Sequence, residues 1–158
     1  MGKVKFDFDP FEIAGVDPKD IPASKREETL ELIADFVLES VLSYVGDGNS
    51  PVSGHGKFPA LSKDYKKRKV AEGGTPVPNL LLEGDLLDSL TVKRSRNTLT
   101  LTVDGALEDK KADNHNGFGI YGTPTLPERR FIPAENEMFK RDITEGIKRF
   151  VEDALDED

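Results

Sequence analysis

His55 and His115 are the only imidazoles in the chain, and it has no cysteine. Imidazole and thiolate are the side chains best suited to bind zinc or activate a nucleophile near neutral pH, so their scarcity bounds the chemistry at once. Without thiols there is no disulfide, no cysteine nucleophile and no thiolate metal site. His115 stands among Asp113, Asn114 and Asn116, neighbours that would suit a metal ligand or a general base. The same residues also make a turn in which short polar side chains bond nearby backbone. A metal needs several converging donors, and two histidines far apart in sequence do not supply them, so the turn reading is preferred. Glu83, Asp85 and Asp88 bring carboxylates close together. Acid–base work needs two at one reacting point, whereas Asp85 after Gly84 has the form of an N-cap for a helical turn over residues 86–90. The Gly-rich stretches lack the phosphate-loop pattern, and residues 117–122 have no preceding strand or following helix to make a dinucleotide site. No catalysis, metal or cofactor is expected.

The cations offer a different kind of chemistry. Lys63, Lys66, Lys67, Arg68 and Lys69 surround Tyr65 in a chain whose net charge is −8. One reading is a solvated helix face. The favoured one is a docking patch, since Tyr and Arg are enriched at interfaces and Tyr65 offers an aromatic anchor beside Lys66, Arg68 and Lys69. An acidic neighbour suits it, the acidic residues 152–158 of an adjacent subunit being one candidate, and phosphates are another. Arg129 and Arg130 lie between Pro127 and Pro133. Prolines fix an extended path, Phe131 can bury, and an arginine can hold a carboxylate with two parallel bonds. A staple fastening this segment to the core is the first reading; a direct contact with another subunit is the second.

These groups must be positioned by a modest framework. Of 158 residues, 36% are hydrophobic and 33% charged, with 14 Gly and 10 Pro. That fits one domain, residues 1–158, with a limited core and extended loops. Phe6 and Phe8 alternate with charged residues, as in a strand with one dry face, which Pro10 ends; residues 10–22 read as turns. Ser24 and Glu27 have the spacing of a capping box. Leu30, Ile33, Ala34, Val37, Leu38, Val41, Leu42 and Val45 follow at helical spacing, which predicts a helix over 25–45 stopped by Gly46. Residues 46–60 read as an exposed irregular loop. A short helix opened by Ser62 follows, then an extended linker from Thr75. Residues 91–95 and 98–105 alternate on either side of Arg96-Asn97, which predicts a hairpin. Phe139, Ile143, Ile147, Phe150, Val151 and Ala154 predict a last helix beginning near Ala134. Gly146 within it costs about 1 kcal/mol against Ala, so packing must support it. The order is that of an α+β fold: a small antiparallel sheet packed against a long N-terminal helix and a C-terminal helix.

Other function classes recede on composition. An acidic chain opposes general grip on phosphate backbones. The first fifteen residues have no apolar leader core, so no secretory signal is expected, and no apolar run is long enough to span a membrane.

Four short motifs occur in order: Leu61, Ser62, Tyr65 and Lys69; Leu80, Gly84, Leu86, Ser89 and Leu90; His115, Gly117 and Gly119; and Pro127, Arg129, Phe131 and Ile132. In that order, with a long helix before and a helix after, the stretch 24–151 resembles the phage virion-morphogenesis and tail-completion families. The long loop before Leu61, the charged segment 105–113 and the acidic end depart from that pattern. The resemblance implies a non-enzymatic structural protein, assembled in the host cytoplasm and carried in the virion at the neck or tail. Its implied partners are copies of itself in a ring, commonly six-fold, a head-connector or adaptor protein, and the tail tube or its terminator. DNA would pass through the lumen without specific binding. The interface candidates are Tyr65, Lys66, Arg68, Lys69, Arg129, Arg130 and Phe131. A transient assembly adaptor or chaperone and a minor tail protein are the alternatives; a small hydrolase or nuclease would need a convergent His, Asp and Glu set.

Overall fold

A computed structural model describes residues 5–57, 90–103, 131–134 and 136–156. Among them, strand β1 (Lys5–Phe8), the short helix α1 (Pro10–Ala14) and a 3-10 turn (Pro18–Asp20) lead into the long helix α2 (Ala23–Gly46). The hairpin β2 (Leu90–Ser95) and β3 (Thr98–Val103) follows, and helix α3 (Arg141–Asp156) comes last. The fold is α+β, with a three-stranded antiparallel sheet ordered β1-β3-β2 beside α2 and α3.

Register explains the core. Phe6 and Phe8 stand opposite Leu101 and Leu99, and Leu90 and Val92 opposite Val103 and Leu101. Side chains alternate along a strand, so one sheet face gathers Phe6, Phe8, Leu90, Leu99, Leu101 and Val103, all buried. Leu30, Ile33, Val37, Val41 and Val45 from α2 join the same cluster, as do Ile143, Ile147, Val151 and Ala154 from α3. The hairpin turns at Arg96-Asn97 as expected, with Arg96 in the left-handed region at φ 55°.

Several local expectations change. Residues 10–22 contain a helix, because Asp9 caps it: its carboxylate accepts from the amides of Phe11 at 2.9 Å and Glu12 at 3.3 Å. Pro10, at the first helical position, gives up an amide that needs no partner there. Helix α2 begins at Ala23 with no side-chain cap. The Pro22 carbonyl accepts from Arg26 N at 2.9 Å, so Ser24 is already helical and its capping box does not form. Glu27 instead accepts from Arg94 Nη2 at 3.3 Å.

Helix α2 also runs through Gly46. The stop is Gly48, at φ 79°: its amide bonds to Val45 O, and Asn49 N bonds back to Tyr44 O at 2.9 Å. That pair of bonds is the left-handed glycine cap that closes many helices. Leu42, read with the apolar stripe, lies 36% exposed. Residues 49–52 are not an exposed loop. Ser50, Pro51 and Val52 are buried, and Val52 forms a β-bridge with Phe139. That bridge explains why α3 begins at Arg141, later than expected. Phe139 packs edge-on against Phe6 at 5.3 Å and Phe8 at 5.5 Å.

Gly146 has the packing partner its position demanded. A Cβ there would lie 2.2 Å from the Phe36 ring, which is tilted against Phe150 at 5.5 Å. The helix has exchanged intrinsic propensity for close approach of α2 and α3. No helix among the described residues is long and apolar enough to cross a membrane.

Candidate functional site

Three features of the described surface place polar side chains together. The first is a clasp. His55 Nε2 lies 2.6 Å from Glu137 Oε2, and Glu137 Oε1 accepts from Ala134 N at 2.9 Å. Both side chains are partly buried. Residues 49–57 can present His55 there because they fold on themselves: Ser50 N bonds to Gly56 O and His55 N to Val52 O, while Ser50 Oγ accepts from Val52 N at 3.1 Å. Ser53 N to Met138 O and Lys140 N to Pro51 O, each 2.8 Å, tie the turn to the strand-like approach of α3. A His–Glu contact is half of an acid–base relay, and here it joins two chain segments 82 positions apart. Among the described residues no group of three His, Cys, Asp or Glu is placed to hold a metal.

The second feature lies beside the first. Tyr44 O–H donates to Asp142 Oδ1 at 2.7 Å, and Lys140 Nζ sits 5.0 Å from the centre of the Tyr44 ring. Burial, and then the hydrogen bond and charge of Asp142, push the Tyr44 phenol from 10.0 up to about 12. Asp142 itself occupies the first turn of α3, where the helix dipole favours a carboxylate.

The third is a pair of grooves. One, about 370 Å³, runs along β1 and α1 past Asp7, Asp9, Glu12 and Glu137. Three of these four carboxylates already have work: Asp9 caps α1, Glu137 closes the clasp and Asp7 accepts from Thr100 Oγ1. The other, about 340 Å³, opens between α2 and the hairpin. Its floor is Leu30, Ala34, Val92 and Leu99, and its rim carries Glu31, Asp35 and Arg94. Arg94 is turned away toward Glu27 and the Arg96 carbonyl. Among the described residues no cation lies within ion-pair distance of Glu31 or Asp35.

The interface candidates read from sequence fall unevenly. Tyr65, Lys66, Arg68, Lys69, Arg129 and Arg130 lie outside the described residues, as do His115, Glu83, Asp85 and Asp88. Phe131 is described, and it is fully buried with Ile132 in the core. It therefore offers no surface to a neighbour, which removes it from the interface set and fits the staple reading of its segment. The His55–Glu137 and Tyr44–Asp142 contacts join residues 82 and 98 positions apart, and no local pattern marks either pair in the sequence.

The chain matches no family model, no curated protein and no solved structure.

Proposed function

We propose that this chain is a structural subunit of a tailed bacteriophage virion, one copy in a ring that joins the head connector to the tail or completes the tail at the neck. The ordered series of four motifs from Leu61 to Ile132 carries the reading. It runs between a long helix and a closing helix, and its last motif ends in Phe131 and Ile132, both buried in the core. A subunit of this kind works by fitting its surface to copies of itself. When one patch meets a different patch on the next copy and the rotation closes, a ring results. A closed ring is what a DNA conduit requires, and net charge −8 suits a wall that duplex passes without gripping. Its proposed neighbours are the head-connector or adaptor protein on one side and the tail tube or terminator on the other.

The test is loss of the gene from the phage genome followed by electron microscopy of the lysate. Filled heads and separate tails, rejoined when the chain is supplied in trans, are expected. Intact infectious particles formed without the chain would overturn the proposal, and complementation with the chain undetectable in purified virions would point to a transient assembly factor.

A further inference from the structure

The groove between α2 and β2 has an apolar floor, two carboxylates without a cation among the described residues, and an extension along the helix. At 100° per residue, Glu28, Glu31, Leu32, Asp35, Glu39 and Leu42 fall within about 100° of one another. All six are exposed, with Leu32 at 47% and Leu42 at 36%. They make a stripe about 21 Å long at 1.5 Å per residue. A solvated helix face ordinarily mixes charges of both signs; this one carries four acids and two leucines, with Lys25 paired to Glu28 at 3.6 Å at its N-terminal end. The described surface thus offers an acidic and apolar strip continuous with that cleft, which shares Glu31 and Asp35 with it.

The chain itself contains the complement. Residues 63–69 hold five cations, Lys63, Lys66, Lys67, Arg68 and Lys69, around one aromatic, Tyr65. We propose that the α2–β2 groove receives segment 63–69 of a second copy, with Tyr65 on the floor of Leu30, Ala34, Val92 and Leu99 and the adjoining cations on Glu31 and Asp35. The contact joins two different patches, so it is heterologous and propagates around a ring. It rests on the ring reading above and names the surfaces that would close it. It replaces residues 152–158 as the acidic partner of the basic run, because the stripe couples charge to a seat for the ring of Tyr65. Desolvated aromatic anchors dominate such interfaces, and rim charges set register and encounter rate.

Charge exchange tests it in the full-length chain. Glu31→Lys with Asp35→Lys, and separately Lys66→Glu with Arg68→Glu, should each raise the concentration needed for self-association at low salt by about tenfold or more. The chain carrying all four substitutions should regain most of the loss, and Tyr65→Ala alone should weaken assembly with all charges in place. Circular dichroism melts near wild type keep the comparison one of folded chains. Because the natural chain lacks cysteine, Asp35→Cys in one preparation and Lys66→Cys in another leave one thiol per chain, and on mixing under mild oxidation the contact favours the 35–66 heterodimer over either homodimer. A covalent dimer between the preparations is expected.

Unchanged assembly in either charge pair, no recovery in the fourfold variant, a disulfide that closes only within a single doubly substituted chain, or a wild-type chain monomeric at every concentration would each overturn the contact. Particles that contain the chain but assemble regardless of the exchange sink this contact and leave the neck reading standing. Recovery by charge exchange in a chain that never enters particles does the reverse.

Discussion

Gly146 and Phe36 set one residue's freedom against another's bulk. Alanine at 146 gains about 1 kcal/mol of helix propensity, yet its methyl would enter the Phe36 ring, and overpacking costs about 1–3 kcal/mol. Gly146→Ala should therefore destabilise by about 1 kcal/mol in urea unfolding. In a Phe36→Ala background the same change should stabilise by about 1 kcal/mol, and an unchanged sign would show that the ring simply swings aside. Tyr44 supplies a second single-residue test. Its folded pKa of about 12 lies above the unfolded value of 10.0, so the folded state holds the proton longer. The stabilisation is complete below pH 10 and lost as pH rises through about 12. Tyr44→Phe should cost about 1 kcal/mol near neutral pH and flatten that alkaline decline. Phenolate absorbance should show one of the three tyrosines ionising late in the wild type and not in the variant.

Between elements, the turn at 49–57 and the approach to α3 stand or fall together. Glu137→Ala removes the acceptor of both His55 and the Ala134 amide, at about 1–2 kcal/mol. Hydrogen exchange at the Ser53 and Lys140 amides should quicken about tenfold or more, while amides of β3 keep their protection; equal acceleration everywhere would mean the clasp is part of the global core. The sequence made the hairpin, the long helix and the dry face of β1 legible, because each is written in a local period. Leu99 and Leu101 alternate with threonines, and Ile33, Val37 and Val41 recur every fourth residue. The clasp is not local: His55 sits in a stretch whose Gly, Pro and Ser content reads as loose, and Val52 pairs with the distant Phe139. Ser24 shows a subtler failure. Its spacing to Glu27 suits a cap, but the Pro22 carbonyl already opens the helix two residues earlier. The acidic stripe of α2 emerges only when exposure divides the helix into faces, because its apolar residue Leu42 reads from sequence like a member of the buried stripe.

At the scale of the molecule, one continuous core couples all described elements. Phe131 enters it from a segment well beyond the end of β3 in sequence, so Phe131→Ala should act globally. A loss of about 3–5 kcal/mol, with an unchanged denaturant slope, is expected in chemical unfolding; a loss under 1 kcal/mol would mean the segment is merely laid on the surface.

The strand order has a temporal meaning. β3 is the middle strand, yet it is made last of the three, and Asp7 meets Thr100 across 93 positions. A ribosome adding about 5–20 residues per second leaves β1 waiting about 5–20 seconds for its hydrogen-bonding mate. During that interval α2 can coil on its own, while Phe6 and Phe8 remain uncovered by the sheet. Slow translation upstream of the hairpin would lengthen their exposure to chaperones and to like strands on neighbouring nascent chains.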